Sequence, residues 1–201
     1  MRVAVLVSGT GTNLAALLEA ERAGALAPAE ICCVVSNRPG AGALARAAAA
    51  GKPALTVDHK AFASREAFED ALLAALAAHG AQAVVLAGFM RVLTPRFLDR
   101  FPDRILNIHP SLLPAFPGVD AQRQALEHGV KVTGATVHFV DAGLDSGAIV
   151  LQAAVAVDDD DTVDRLRARV LEREHELLPR AVALLAAGRL ARTGRRVRVL
   201  P

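Results

Sequence analysis

The chain has 201 residues, 53% of them hydrophobic, with 23 Lys and Arg against 21 Asp and Glu for a net charge of +2. That length suits one domain, or one with a small appendage, and supports a substantial core. No apolar run approaches the roughly 20 residues of a membrane span, the opening run is broken too early by glycine for a secretion signal, and the near-balanced charge leaves no strong footprint for nucleic acid.

The first predicted strand, "VAVLVS", runs into "SGTGTNL", residues 8–14. Gly9 and Gly11 match the first two glycines of a dinucleotide fingerprint, but Leu14 stands where the third belongs. The second strand, "ICCVVS", ends at Ser36–Asn37 with no acidic residue for a ribose. Two readings stay open: a plain tight turn, or backbone N–H groups at a helix start that hold a single phosphate rather than NAD. In the second, Thr12 and Asn13 add side-chain donors. Cys32 and Cys33 are adjacent within the second strand and are expected on its opposite faces, as small core residues. They suggest neither a disulfide framework nor a metal site, and a reducing cytoplasm is the expected compartment.

Alanine-rich helical segments at 13–23, 41–50 and 65–79 separate the strands, with Ser64 placed to cap the third and Gly80 to end it. A weak strand, "PALTVD", and two stronger ones, "AVVLAGF" and "RILNIH", follow the same alternation. Continuous apolar strands alternating with helices predict a parallel sheet covered on both faces. In "RILNIHP", Asn107 and His109 lie two apart and share a strand face, and Pro110 ends the strand. Two polar groups buried there without partners would cost a few kcal/mol, at the carboxyl strand ends where open α/β sheets bind ligands. A functional pair is favoured over satisfied structural residues.

After residue 130, "VTGATVHFV" and "AIVLQAAVAV" flank "DAGLDSG" with no helix between, so an antiparallel pair is expected. The loop is either a turn rich in Asp and Gly or the source of a carboxylate, Asp141 or Asp145, that orients and charges His109. A final helix is expected from about Thr162 to Ala187, with Asp161 as N-cap and Asp164 near N3. Its apolar stripe of Val163, Leu166, Val170, Leu177, Ala181 and Leu184 contains Glu174. That carboxylate needs a partner, in a structural salt bridge or a ligand. The run Asp158–Asp161 reads as an acid-rich helix start, the six histidines show no ligand spacing, and no metal is expected. The basic tail "GRLARTGRRVRV" lacks interleaved aromatics and reads as a solvated edge rather than an RNA contact.

Taken in order, "SGTGTNL", "AGFMRVL", "LNIHPSLLPAFPG" and "HFVDAGLDSGAIVLQ" resemble the phosphoribosylglycinamide formyltransferases, folate-dependent one-carbon transferases of purine biosynthesis, over essentially the whole chain. The resemblance implies an α/β formyltransferase fold: a Rossmann-like, mostly parallel twisted sheet flanked by helices, with an antiparallel strand pair and a long C-terminal helix. It implies one domain over 1–201, with a phosphate-binding half (1–100) and a catalytic and folate-binding half (101–201). The formyl group of the co-substrate 10-formyltetrahydrofolate would pass to the amine of glycinamide ribonucleotide. Asn107, His109 and Asp145 match the catalytic trio, Gly11, Thr12 and Asn13 the phosphate loop, and Glu174 the carboxylate on the ribose hydroxyls. Met90, Arg91, Val92 and Leu93 match the wall whose backbone reads the pterin, with Asn107 also on the folate side, and Arg65 matches a folate-side arginine. A cis bond at Leu113–Pro114 is implied as well. Leu171 departs from the pattern, standing where several relatives place a polar side chain near the phosphate. The expected partners are these two small molecules, with no nucleic acid or membrane, for a monomer or homodimer.

The chemistry of the residues agrees. Attack of an amine on a formamide carbon creates a tetrahedral oxyanion that needs aimed donors. Asn107 offers a neutral N–H and His109 a charged one. A histidine of pKa ~6.5 is only about a quarter protonated at pH 7, and a nearby carboxylate, Asp145, favours the charged form. The amine attacks in its neutral form, with water or His109 carrying protons. Methionyl-tRNA formyltransferase and formyltetrahydrofolate hydrolase share the trio but normally carry further domains, for which this chain is short. A non-catalytic nucleotide-binding module explains the glycine loop but not the trio.

Overall fold

The computed structural model describes residues 1–201. In chain order the elements are β1 (Arg2–Val7), α1 (Thr12–Arg22), β2 (Glu30–Ser36), α2 (Gly42–Ala49), β3 (Ala54–Thr56), α3 (Arg65–Ala78), β4 (Ala83–Leu86), α4 (Pro95–Leu98) and β5 (Ile105–His109). There follow α5 (Ala121–Glu127), β6 (Val132–Phe139), β7 (Ile149–Ala156), α6 (Val163–Ala186), β8 (Leu190–Thr193) and β9 (Arg196–Val199). One seven-stranded sheet runs in the order β3-β2-β1-β4-β5-β6-β7. Its first five strands are parallel and β6–β7 is antiparallel, as the sequence pattern predicts, and β5–β6 is antiparallel as well.

Period-two alternation sorts each strand between two cores. Val3, Val5 and Val7 enter a 30-residue cluster with Leu14 and Leu17 of α1 and Leu166, Val170 and Leu178 of α6. Ala4 and Leu6 enter a 14-residue cluster with Phe68, Leu72 and Leu76 of α3. The cysteines depart from expectation, since Cys32 and Cys33 both lie in the smaller cluster. The β1–β2 register jumps from Val3↔Ile31 to Ala4↔Cys33, so Cys32 is the extra residue of a bulge. A bulge interrupts the alternation that a regular strand imposes.

Ser64 Oγ accepts the Ala67 N–H at 3.1 Å, and Gly80 (φ +62°) follows the end of α3, both as predicted. The cap of α6 is Thr162, whose Oγ1 accepts the Arg165 N–H at 3.3 Å, and not Asp161. Asp161 is drawn away: its carboxylate accepts from the Asp158 N–H at 2.9 Å and from Arg169 Nη1 at 2.8 Å. With the cap displaced by one residue, Asp164 falls in the second position of the helix rather than the third. Val163 is only half-buried, outside the stripe it was expected to begin. The basic tail folds as the antiparallel hairpin β8–β9, with Leu190 and Val197 against the larger core and Arg196 and Arg198 exposed.

Candidate active site

From β1 the chain crosses to β2, and from β4 it crosses the other way to β5, although β1 and β4 are neighbours. Loops that diverge from adjacent parallel strands leave a crevice at their carboxyl ends. A cavity of about 720 Å³ opens there, lined from the loops after β1, β4, β5 and β6 and from α6.

On one side lies the start of α1. Gly11 is its N-cap at φ +77°, and a Cβ there would sit 2.6 Å from the Cβ of Ala43, so only glycine fits the turn. No side chain caps α1, and the N–H groups of Thr12, Asn13 and Leu14 have no protein acceptor. Asn13 is expected to add a side-chain donor for a phosphate, yet its Nδ2 donates to Glu174 Oε2 at 2.6 Å. Both side chains are buried, so this bond satisfies groups that would otherwise be costly. Burial pushes the Glu174 carboxyl above its ordinary value, with the Asn13 bond opposing. The partner of Glu174 is thus an amide and not a cation. Leu171 and Arg167 line the same side of the cavity.

Across from α1 stand the polar residues of β5. Leu106 and Ile108 enter the larger core, leaving Asn107 and His109 together on the other face. Asn107 pairs directly with His138 of β6 in the antiparallel register. The His138 Nδ1 must donate to the Phe139 carbonyl at 2.8 Å, leaving Nε2 to accept from Asn107 Nδ2 at 3.1 Å. Asn107 Nδ2 also lies 3.4 Å from Asp145 Oδ1. The other oxygen, Oδ2, accepts from the Gly118 N–H at 2.8 Å and lies 3.4 Å from His109 Nδ1. Asp145 takes a left-handed backbone at φ +48°. Burial pushes its carboxyl up, but His138, the Gly118 N–H and His109 hold it net below the usual range.

His109 Nε2 lies 2.8 Å from the carbonyl of Phe116, which can only accept, so Nε2 carries the proton. The loop that brings Phe116 and Gly118 back to the histidine has a cis Leu113–Pro114 bond, as expected. Asp145 is expected to keep His109 charged. Asp145 does face His109, but burial outweighs the Phe116 carbonyl and the carboxylate, and the imidazole pKa falls below its ordinary value. Burial of the ring thus opposes the charged form that Asp145 favours.

The third wall is the loop after β4. Met90, Arg91, Val92 and Leu93 all line the cavity, with Met90 and Val92 more than half exposed and Leu93 in the core. Arg65 does not line it; it sits exposed in the first turn of α3, whose buried side serves the smaller core. Gly11 contributes through the turn rather than as a lining group. His138 is the residue that sequence reasoning missed. Its signal was a polar side chain at an inward position of "VTGATVHFV", but the pairing with Asn107 depends on a long-range register.

A doubly wound sheet with a polar cluster and a helix N-terminus facing one crevice defines an α/β protein built to bind and process a small molecule. The formyl transferase family model matches residues 1–182. Glycinamide ribonucleotide transformylase 1 from Symbiobacterium toebii superposes with a TM-score of 0.98 at 55% identity, covering 100% of this chain and 94% of that one. Phosphoribosylglycinamide formyltransferase from Escherichia coli is 43% identical over 190 residues, 94% of this chain and 89% of its own. The trifunctional purine biosynthetic protein adenosine-3 of Drosophila melanogaster is 50% identical over 188 residues, where 93% of this chain spans 14% of that protein. The chain belongs to the formyl transferase family, on its phosphoribosylglycinamide formyltransferase branch.

Proposed function

We propose that this chain transfers the formyl group of 10-formyltetrahydrofolate to the amine of glycinamide ribonucleotide, in the route to the purine nucleotide IMP. The observation that carries the reading is the meeting of Asn107, His109 and Asp145 in one cavity whose far side holds Glu174 and the free N–H groups of α1. A cavity of about 720 Å³ is within the ordinary range for small-molecule sites. The exposed apolar side chains Met90, Val92 and Leu144 on its walls fit a pterin and its aromatic extension. Gly11, Thr12 and Asn13 would meet the phosphate, chiefly through backbone N–H groups, since the Asn13 amide is engaged with Glu174. Glu174 Oε1, which has no hydrogen bond within the protein, would take the ribose hydroxyls.

In this reading Asn107 turns an N–H from His138 to the developing oxyanion, and His109 joins it as a donor when protonated. Asp145 holds the ring and supplies charge compensation as a proton passes toward the folate nitrogen. Arg65 would act only on a part of the folate that extends beyond the cavity. The reaction is placed in the cytoplasm. Incubation with both substrates and detection of formylglycinamide ribonucleotide tests the reading. Product should depend on the ribonucleotide; folate deformylation that runs equally fast without it would overturn the proposal in favour of a hydrolase.

A further inference from the structure

Arg167, Leu171 and Glu174 recur on α6 at spacings of four and three, and all three line the cavity. Residues so spaced stand one above another on a helix. The last of them, Glu174, is tied to Asn13, so this face of α6 meets the cavity beside the first turn of α1. That corner is rich in donors and poor in charge. Thr12, Asn13 and Leu14 present unpaired N–H groups, while Leu171 contributes no polar atom. Among the lining residues only Arg91 and Arg167 carry a fixed positive charge, and Arg91 belongs to the wall after β4. Arg167 is thus the one guanidinium that lines the cavity on the side of α1 and α6; Arg46 stays behind the loop, its Nε donating to the Thr10 carbonyl at 2.9 Å.

Its present partner is weak. Arg167 Nη1 meets Asp164 Oδ1 at 2.7 Å, with the two side chains 50% and 88% exposed. Ion pairs that exposed contribute little, and a guanidinium has donors left over for a second anion. Arg167 stands about 10 Å along the helix axis from Glu174, more than the diol-to-phosphate span of one ribose, so its long side chain must leave Asp164 and turn back toward the start of α1 to meet the phosphate.

We infer that Arg167 is the phosphate-specificity residue of this site, supplying from one turn before Leu171 the positive charge that Leu171 does not. This deepens the proposed function and rests on it. Arg167→Ala should raise the KM for the ribonucleotide about tenfold, as expected on loss of a charge-assisted contact. The kcat at saturation should stay within about twofold, and the folate KM and Tm should not change. Added salt should narrow the difference from wild type. The dephosphorylated nucleoside should be used equally by both proteins. Arg165→Ala, on α6 but outside the cavity and paired with Asp160, controls for general charge. Leu171→Lys in the Arg167→Ala background should recover most of the loss by returning a cation to the stripe. An unchanged ribonucleotide KM in Arg167→Ala overturns the inference, as does a KM raised by Arg91→Ala but not by Arg167→Ala. Failure of the wild type to formylate the ribonucleotide is a different result, which sinks the proposed function itself.

Discussion

Asp145 holds a backbone conformation that disfavours a non-glycine residue by about 1–3 kcal/mol, and its carboxylate is the only group in contact with His109, His138 and the Gly118 N–H together. The strain is offset by those contacts, which also fix where the imidazole and the Asn107 amide can point. Removal of one oxyanion donor commonly lowers kcat by ~10²–10³, so Asn107→Ala should fall in that range with the fold intact and Tm lowered by a few degrees, because the buried His138 Nε2 loses its donor; steady-state kinetics and thermal unfolding measure the two. Asp145→Asn addresses the proton. Burial already depresses the His109 pKa and the carboxylate raises it, so removing the negative charge must move the titration further toward acid. NMR titration of the ring in both proteins should show that displacement. Coincident curves would mean that Asp145 orients the ring without tuning its charge.

At the scale of elements, much was legible because burial enforces simple periods. Val3 to Val7 alternate between two cores, and Ser64 and Gly80 bracket α3 by local chemistry alone. Misreadings occur where a distant contact outbids a local one. Arg169 takes Asp161 from the cap of α6, and a bulge in the pairing with β1 turns Cys32 to the side of Cys33. His138 became a site residue only through the register of β6 on β5, and the β8–β9 hairpin forms because Leu190 and Val197 find an apolar surface to cover. The link between α1 and α6 makes its own prediction. Glu174 has a raised pKa in the folded protein; as pH rises past the ordinary carboxylate value the unfolded chain loses its proton first, and stability falls until the folded carboxyl ionises too. Glu174→Gln keeps an acceptor for Asn13 without the charge. Its Tm should match wild type near pH 4 and exceed it by a few degrees at pH 8, while ribonucleotide binding weakens. An equal Tm difference at both pH values would rule out the buried charge as the cause.

Over the whole molecule, the cavity joins parts that no single element holds together. The α1 and α6 side belongs to the larger core, the wall after β4 leans on the smaller one, and β5 and β6 carry the polar cluster between them. Glu174 and Asn13 are separated by 161 residues in sequence, so a ligand that engages that pair and the Asn107 cluster ties both ends of the chain to its middle. A ligand of this kind stabilises the folded state by mass action, about 2.7 kcal/mol at a concentration of 100 Kd. For a chain of this size each kcal/mol moves Tm by roughly 2–4 °C, so glycinamide ribonucleotide alone should raise Tm by about 5–11 °C at that saturation. The nucleoside without its phosphate, at the same concentration, should give a smaller rise because the N–H groups of Thr12, Asn13 and Leu14 gain no anion. Differential scanning fluorimetry across a concentration series reads both. Equal rises for the two ligands would place the phosphate in solvent and remove the start of α1 from the site, whereas no rise with either would remove the ribonucleotide.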